Sequence, residues 1–278
     1  MKKLCLLLIG VIVAIATTYA QPAIHVQKTG KGDPVIFLPG FTCPGSVFNE
    51  TIFHLKKSYE SHVISYAGFN GHAPIEMPWY ETIKKEMIAY INDNKLSNVR
   101  IVGHSMGGML AIDLASEMPG KIHSVVAVDA LPCLRELWMP GTPASAFSYE
   151  NSYNKQQLAL SNDALRQNAS MMAAGMTLSK AKADTVLNWM MVADRKTYVY
   201  GYTDLLKLDL RESLSKISAK TLVIGASFPD VATVTANFEK QYANLKNKTI
   251  IVAENTRHFV MFDQPEWFYG KVNAFLAE

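Results

Sequence analysis

Cysteine is scarce: the 278 residues include only three, Cys5, Cys43 and Cys133. No pair of them has zinc-ligand spacing. No His/Cys or carboxylate cluster stands at ligand spacing either, so neither a metal nor a cofactor is expected. An excess of one charge is also missing. Lysine and arginine number 27 against 24 aspartate and glutamate, a net +3 that falls to +1 without Lys2 and Lys3. That balance gives no electrostatic case for nucleic acid or an anionic membrane surface. Internal repeats and low-complexity tracts are absent as well.

The first apolar block, Leu4 to Ala16, is too short to span a bilayer comfortably. It follows Lys2 and Lys3 and ends in Thr18-Tyr19-Ala20, small residues of the kind a signal peptidase prefers. Residues 1–20 therefore read as a bacterial-type secretory signal cleaved after Ala20. The mature chain is expected in the periplasm or outside the cell, with no stable membrane insertion. Cys43 and Cys133 then lie in an oxidising compartment that permits a disulfide, and two buried thiols are an equal alternative.

From Gln21 onward, apolar runs alternate with helical stripes, the pattern of a mostly parallel, doubly wound α/β sheet. Strands are expected at Val35–Leu38, His62–Tyr66, Val99–Val102, Ser124–Val128, Thr221–Ile224 and Thr249–Ala253. Ala23–Gln27 is expected to pair with the first of these across Gly30-Lys31-Gly32. Helical stripes run through Phe48, Ile52 and Leu55; through Ile83, Met87 and Ile91; through Val231, Val234 and Phe238; and through Phe268, Val272 and Phe275. Residues 21–130 and 219–278 make the core. Residues 131–218 break the alternation: they contain no clear strand but are rich in Met and aromatic side chains. They read as a helical lid over the strand ends, lining an apolar pocket.

The informative stretch is Val99-Arg-Ile-Val-Gly-His-Ser-Met-Gly-Gly108. An apolar strand ends in Gly103-His104-Ser105-Met106-Gly107 and a helix starts at once. A turn that tight forces Ser105 into a costly backbone region and requires small residues two positions away on each side. The hydroxyl then projects at the rim of the sheet, as a nucleophile elbow requires. His258, in the loop after the last strand, is the expected general base and acid.

The chain resembles the α/β-hydrolase fold superfamily, in its lid-containing serine hydrolase and esterase-like branch. Besides the elbow, the resemblance rests on Phe37-Leu-Pro-Gly-Phe41, Asn70-Gly-His-Ala-Pro74, Thr221–Asp230 and Arg257–Phe268. It implies a Ser…Asp…His order and backbone oxyanion donors at Phe41 and Met106, whose side chains wall the acyl pocket. Pro39 replaces the histidine many relatives carry, which leaves the proposed donors intact. For the acid, Asp230 after the Thr221–Ile224 strand is the leading candidate, although it lies further along than the family spacing. Asp129, at the end of Ser124–Val128, is the alternative.

The function expected is that of a secreted serine hydrolase cleaving a small or medium apolar ester through an acyl-enzyme. The same triad serves an aminopeptidase, a lactonase or a carbon–carbon bond hydrolase. The first of these needs a lid acid, for which Glu136, Glu150 and Asp163 are available. A non-catalytic ligand-binding protein of this fold is the alternative from another class. Serine at the elbow argues against chemistry that needs a carboxylate nucleophile.

Overall fold

The computed structural model describes residues 21–278, so the expected signal segment lies outside the described residues. Seven strands form one sheet in the order β1-β3-β2-β4-β5-β6-β7. They are β1 (Ile24–Gly30), β2 (Asp33–Leu38), β3 (Tyr59–Tyr66), β4 (Val99–His104), β5 (Ile122–Val128), β6 (Lys220–Ala226) and β7 (Lys248–Ala253). All neighbouring pairs are parallel except β1 with β3.

The expected pairing of the first two strands does not form. β1 lies antiparallel to β3, with Ile24 opposite Tyr66 and Gly30 opposite Glu60. β2 instead sits between β3 and β4. The apolar Val35–Leu38 stretch is fully buried and needs a strand on each side. The more polar β1 is exposed over its last four residues and suits a sheet edge.

Side chains leave β2 alternately. Val35 and Phe37 join one apolar core, Ile36 and Leu38 the other, so the sheet divides two packed layers. The short α1 (Asn49–Phe53) follows β2, and α2 (Trp79–Asp93) buries the expected Ile83, Met87 and Ile91. α3 (Met106–Glu117) is buried on every side through Ser116, as befits a central helix. Late in the chain come α9 (Val231–Gln241), α10 (Val260–Asp263) and α11 (Pro265–Leu276).

Among the described residues no strand lies between Val128 and Lys220. That interval holds α4 (Arg135–Trp138), α5 (Ser152–Ala159), α6 (Asn162–Met176), α7 (Lys180–Met191) and α8 (Arg195–Lys207). Four of these start at a side-chain cap. Asn151, Ser161, Ser179 and Asp194 accept the amides of Asn154, Ala164, Lys182 and Thr197. Such caps satisfy donors that the first helical turn leaves orphaned, which is why the helices begin there. No described helix is long and apolar enough to cross a membrane. Cys43 and Cys133 are both buried and free.

Candidate active site

Ser105 joins β4 to α3 with φ 54° and ψ −122°, a conformation costing on the order of 1–3 kcal/mol for a residue with a side chain. Its glycine neighbours make the turn possible. A Cβ on Gly103 would lie 2.2 Å from the Gly107 carbonyl oxygen, and one on Gly107 only 2.0 Å from that of Leu38. The Ser105 amide donates to the Val128 carbonyl at 2.8 Å, tying the elbow to the end of β5.

That tie places the residue after Val128 beside the elbow. Asp129 also has a positive φ, 45°, and its amide donates to the Ile224 carbonyl at 2.7 Å. Its Oδ1 accepts the Ala226 amide at 3.0 Å. Its Oδ2 accepts from His258 Nδ1 at 2.6 Å. Burial works to raise the Asp129 carboxyl, but the His258 bond and charge and the Ala226 N–H outweigh it and hold the group below its usual range. With Nδ1 donating to the carboxylate, the His258 tautomer leaves Nε2 as the basic atom.

Asp230 is elsewhere. It is exposed and caps α9, accepting the Thr233 amide at 2.8 Å and the Thr233 hydroxyl at 2.7 Å. The structure thus brings Asp129, the alternative acid, to His258 and leaves Asp230, the leading candidate, at a helix start. The reason is physical: both oxygens of Asp230 are engaged by a helix start, whereas Asp129 already bonds the imidazole. The loop carrying Asp230 is tied instead to the histidine loop through Ser227 and Thr256.

His104 connects elbow and base. Its ring is fully buried, 4.6 Å from that of His258 between centroids. Its Nε2–H donates to the His258 carbonyl at 3.0 Å. Burial, and then the neighbouring His258, push its pKa down to about 3, so the ring is neutral. Its Nδ1 has no hydrogen-bond partner. Among the described residues the Ser105 hydroxyl makes no side-chain hydrogen bond, and nucleophile–base contacts of this kind often tighten only when substrate arrives.

The loop after β2 closes on the same point. A Cβ on Gly40 would lie 2.9 Å from His104 Nδ1 and 3.3 Å from Ser105 Cβ, so Phe41 follows directly beside the serine. Neither the Phe41 nor the Met106 amide is consumed by a backbone hydrogen bond among the described residues. The two loops flank the gap between β2 and β4, where the strand order reverses and open α/β sheets place their ligands.

The Phe41 ring packs 5.7 Å from Tyr198 and 5.9 Å from Tyr202, both on α8, and edge-on to Phe69 and Trp79. Gly201 lets the helix come this near, since a Cβ there would meet Phe41 and Trp79 at 3.2 Å. Tyr202 was not singled out in the sequence. Its four-residue spacing from Tyr198, around a glycine, is the signal that marks one helical face. The Met106 side chain is buried in the core. Of the possible amine-binding acids, Glu136 is paired with Arg211 and Lys240, Glu150 accepts from Tyr200, and Asp163 lies exposed in the first turn of α6. No metal-holding group of three side chains occurs among the described residues.

A mostly parallel sheet, a strained serine between β4 and α3, and a carboxylate–imidazole pair at the same rim define a hydrolase-type site. The chain belongs to the alpha/beta hydrolase family, whose model matches residues 35–271. A pimeloyl-[acyl-carrier protein] methyl ester esterase of Legionella pneumophila (strain Corby) is 25% identical over 256 residues, 91% of this chain and 99% of its own. The enzyme of the same name from Aeromonas hydrophila is 21% identical, covering 92% of this chain and 100% of its own. Two solved structures share the fold. The enol-lactonase from Burkholderia xenovorans LB400 has a TM-score of 0.74 at 16% identity, over 92% of this chain and 96% of that one. An esterase from Exiguobacterium antarcticum has a TM-score of 0.73 at 20% identity, over 93% and 99%.

Proposed function

We propose that this chain is an exported serine hydrolase that cleaves a small or medium apolar ester through an acyl-enzyme on Ser105. The observation carrying the reading is the 2.6 Å bond between His258 and Asp129, on a loop tied to His104, the residue before the serine. Relatives named as methyl ester esterases support the bond type.

The steps follow from the groups present. Ser105 Oγ attacks the ester carbonyl while His258 Nε2 takes its proton, and Asp129 steadies the imidazolium that forms. The amides of Phe41 and Met106 donate to the developing oxyanion. His258 returns the proton to the departing alkoxide, which leaves as the alcohol. The same imidazole then deprotonates a water, which attacks the acyl-enzyme. Collapse of the second tetrahedral intermediate gives the carboxylic acid, with Ser105 Oγ leaving as it regains the proton. Phe41, Tyr198 and Tyr202 offer an apolar wall for the acyl or alcohol group, and α8 acts as part of a lid. Export rests on the Lys2–Ala20 pattern, with cleavage after Ala20.

A fluorophosphonate probe tests the reading. The folded protein is expected to be labelled at Ser105, and Ser105→Ala is expected to lose labelling together with at least roughly a thousandfold in ester turnover. A folded protein that takes no label, or takes it at another residue, contradicts it.

A further inference from the structure

The base sits on a loop whose backbone is held on both sides of His258. The His258 carbonyl accepts from His104 in the core, and the next amide, that of Phe259, donates to the Met176 carbonyl at the end of α6 at 3.0 Å. One residue before His258, the Arg257 amide donates to Asp263 Oδ2 at 2.8 Å. The other oxygen of Asp263, Oδ1, accepts the Thr177 hydroxyl at 2.6 Å and the Leu178 amide at 2.9 Å. Arg257 also reaches the Ala174 carbonyl at 2.5 Å. A single carboxylate thus grips the base's own loop with one oxygen and the α6–α7 junction of the helical insertion with the other.

Asp263 is the last residue of the single-turn α10, and its carboxylate accepts from three donors, two of them from the insertion. Their effect is to make residues 174–178 part of the mounting of the imidazole.

We propose that Asp263 is a positioning residue for His258, holding the base's loop and the α6–α7 junction as one unit. The inference rests on the serine hydrolase reading of the site. Without the carboxylate, the Arg257 peptide loses its acceptor and the Thr177–Leu178 turn is released. The backbone bonds left at His258 and Phe259 are then those to His104 and Met176. The titratable and charged groups facing the base are Asp129 and His104. Arg257 stands beside Asp263, and the Lys182 ammonium lies 4.8 Å from the centre of the neighbouring Phe262 ring.

The test compares the parent protein with Asp263→Asn and Thr177→Val, using a nitrophenyl ester across pH and the rate of fluorophosphonate labelling, each normalised to labelled sites. Asn keeps the size of the side chain but cannot present acceptors on both sides. Asp263→Asn is expected to lower kcat by roughly tenfold to a hundredfold, with a much smaller change in KM. It should also displace the acidic limb of the kcat/KM profile and slow labelling in parallel. Thr177→Val, which removes one donor from the insertion side, should move the same quantities in the same direction by a smaller factor. A purely structural role predicts a lower melting temperature with unchanged kcat per labelled site and an unchanged pH profile, and that result overturns the proposal. If Asp263→Asn does not fold, parental kinetics and pH profile in Thr177→Val overturn it. Failure of the parent protein to label at all contradicts the serine hydrolase reading itself.

Discussion

A neutral imidazole buried beside Ser105 is expected to make the fold sensitive to acid. His104 in the folded chain has its pKa pushed down to about 3, first by burial and then by His258. In the unfolded chain it titrates near the ordinary value of about 6.5. Between those values the unfolded state binds more protons, so stability rises with pH. The contribution is complete above the unfolded value and is lost as pH falls toward the folded one, by at most about 1.4 kcal/mol per pH unit. His62, His72 and His123 are shifted downward too, and each adds a slope of the same sign. Urea unfolding from pH 7 to pH 5 is therefore expected to show a shallower pH slope in His104→Gln than in the parent. The difference should approach one proton's worth. Equal slopes would mean that His104 is not held neutral by the fold.

At the scale of elements, the strand–turn–helix unit around Ser105 was legible because its demands are steric and local. The sequence showed Gly103 and Gly107 where only glycine fits, and the structure puts a backbone oxygen within 2.2 Å of any Cβ at either site. Gly107→Ala is expected to lower stability by about 1–3 kcal/mol or more, because backbone atoms cannot yield as a flexible side chain does. Calorimetry or urea unfolding checks this; a stability loss below 1 kcal/mol would show that the elbow has more room than its geometry allows. The strands and the α2 stripe were equally readable from their apolar periods. The partner of β1 was not. A turn of two glycines suits a hairpin, but the choice between edge and centre depends on which strand must be buried on both sides, a property of the whole sheet.

Across the whole molecule, the same limit explains the acid. Asp129 and Asp230 each follow a strand of the sheet, and that position alone ranks neither above the other. Their neighbours in space do: β5 lies directly beside β4, and the Ser105 amide bonds to Val128, so the residue after Val128 emerges at the elbow. Asp230 carried a local signal of its own, an aspartate three residues before Thr233 at a helix start, which reads as an N-cap. Asp263 was invisible in the sequence because two of its three donors come from the α6–α7 junction, more than eighty residues away along the chain. Topology, then, selects the carboxylate that serves His258. The direct test is kcat/KM for a nitrophenyl ester in Asp129→Asn and Asp230→Asn measured side by side. Asp129→Asn is expected to fall on the order of a hundredfold to ten-thousandfold, while Asp230→Asn, which keeps a competent helix cap, stays within about threefold of the parent. A large loss in Asp230→Asn with near-parental Asp129→Asn would contradict the triad of Ser105, His258 and Asp129.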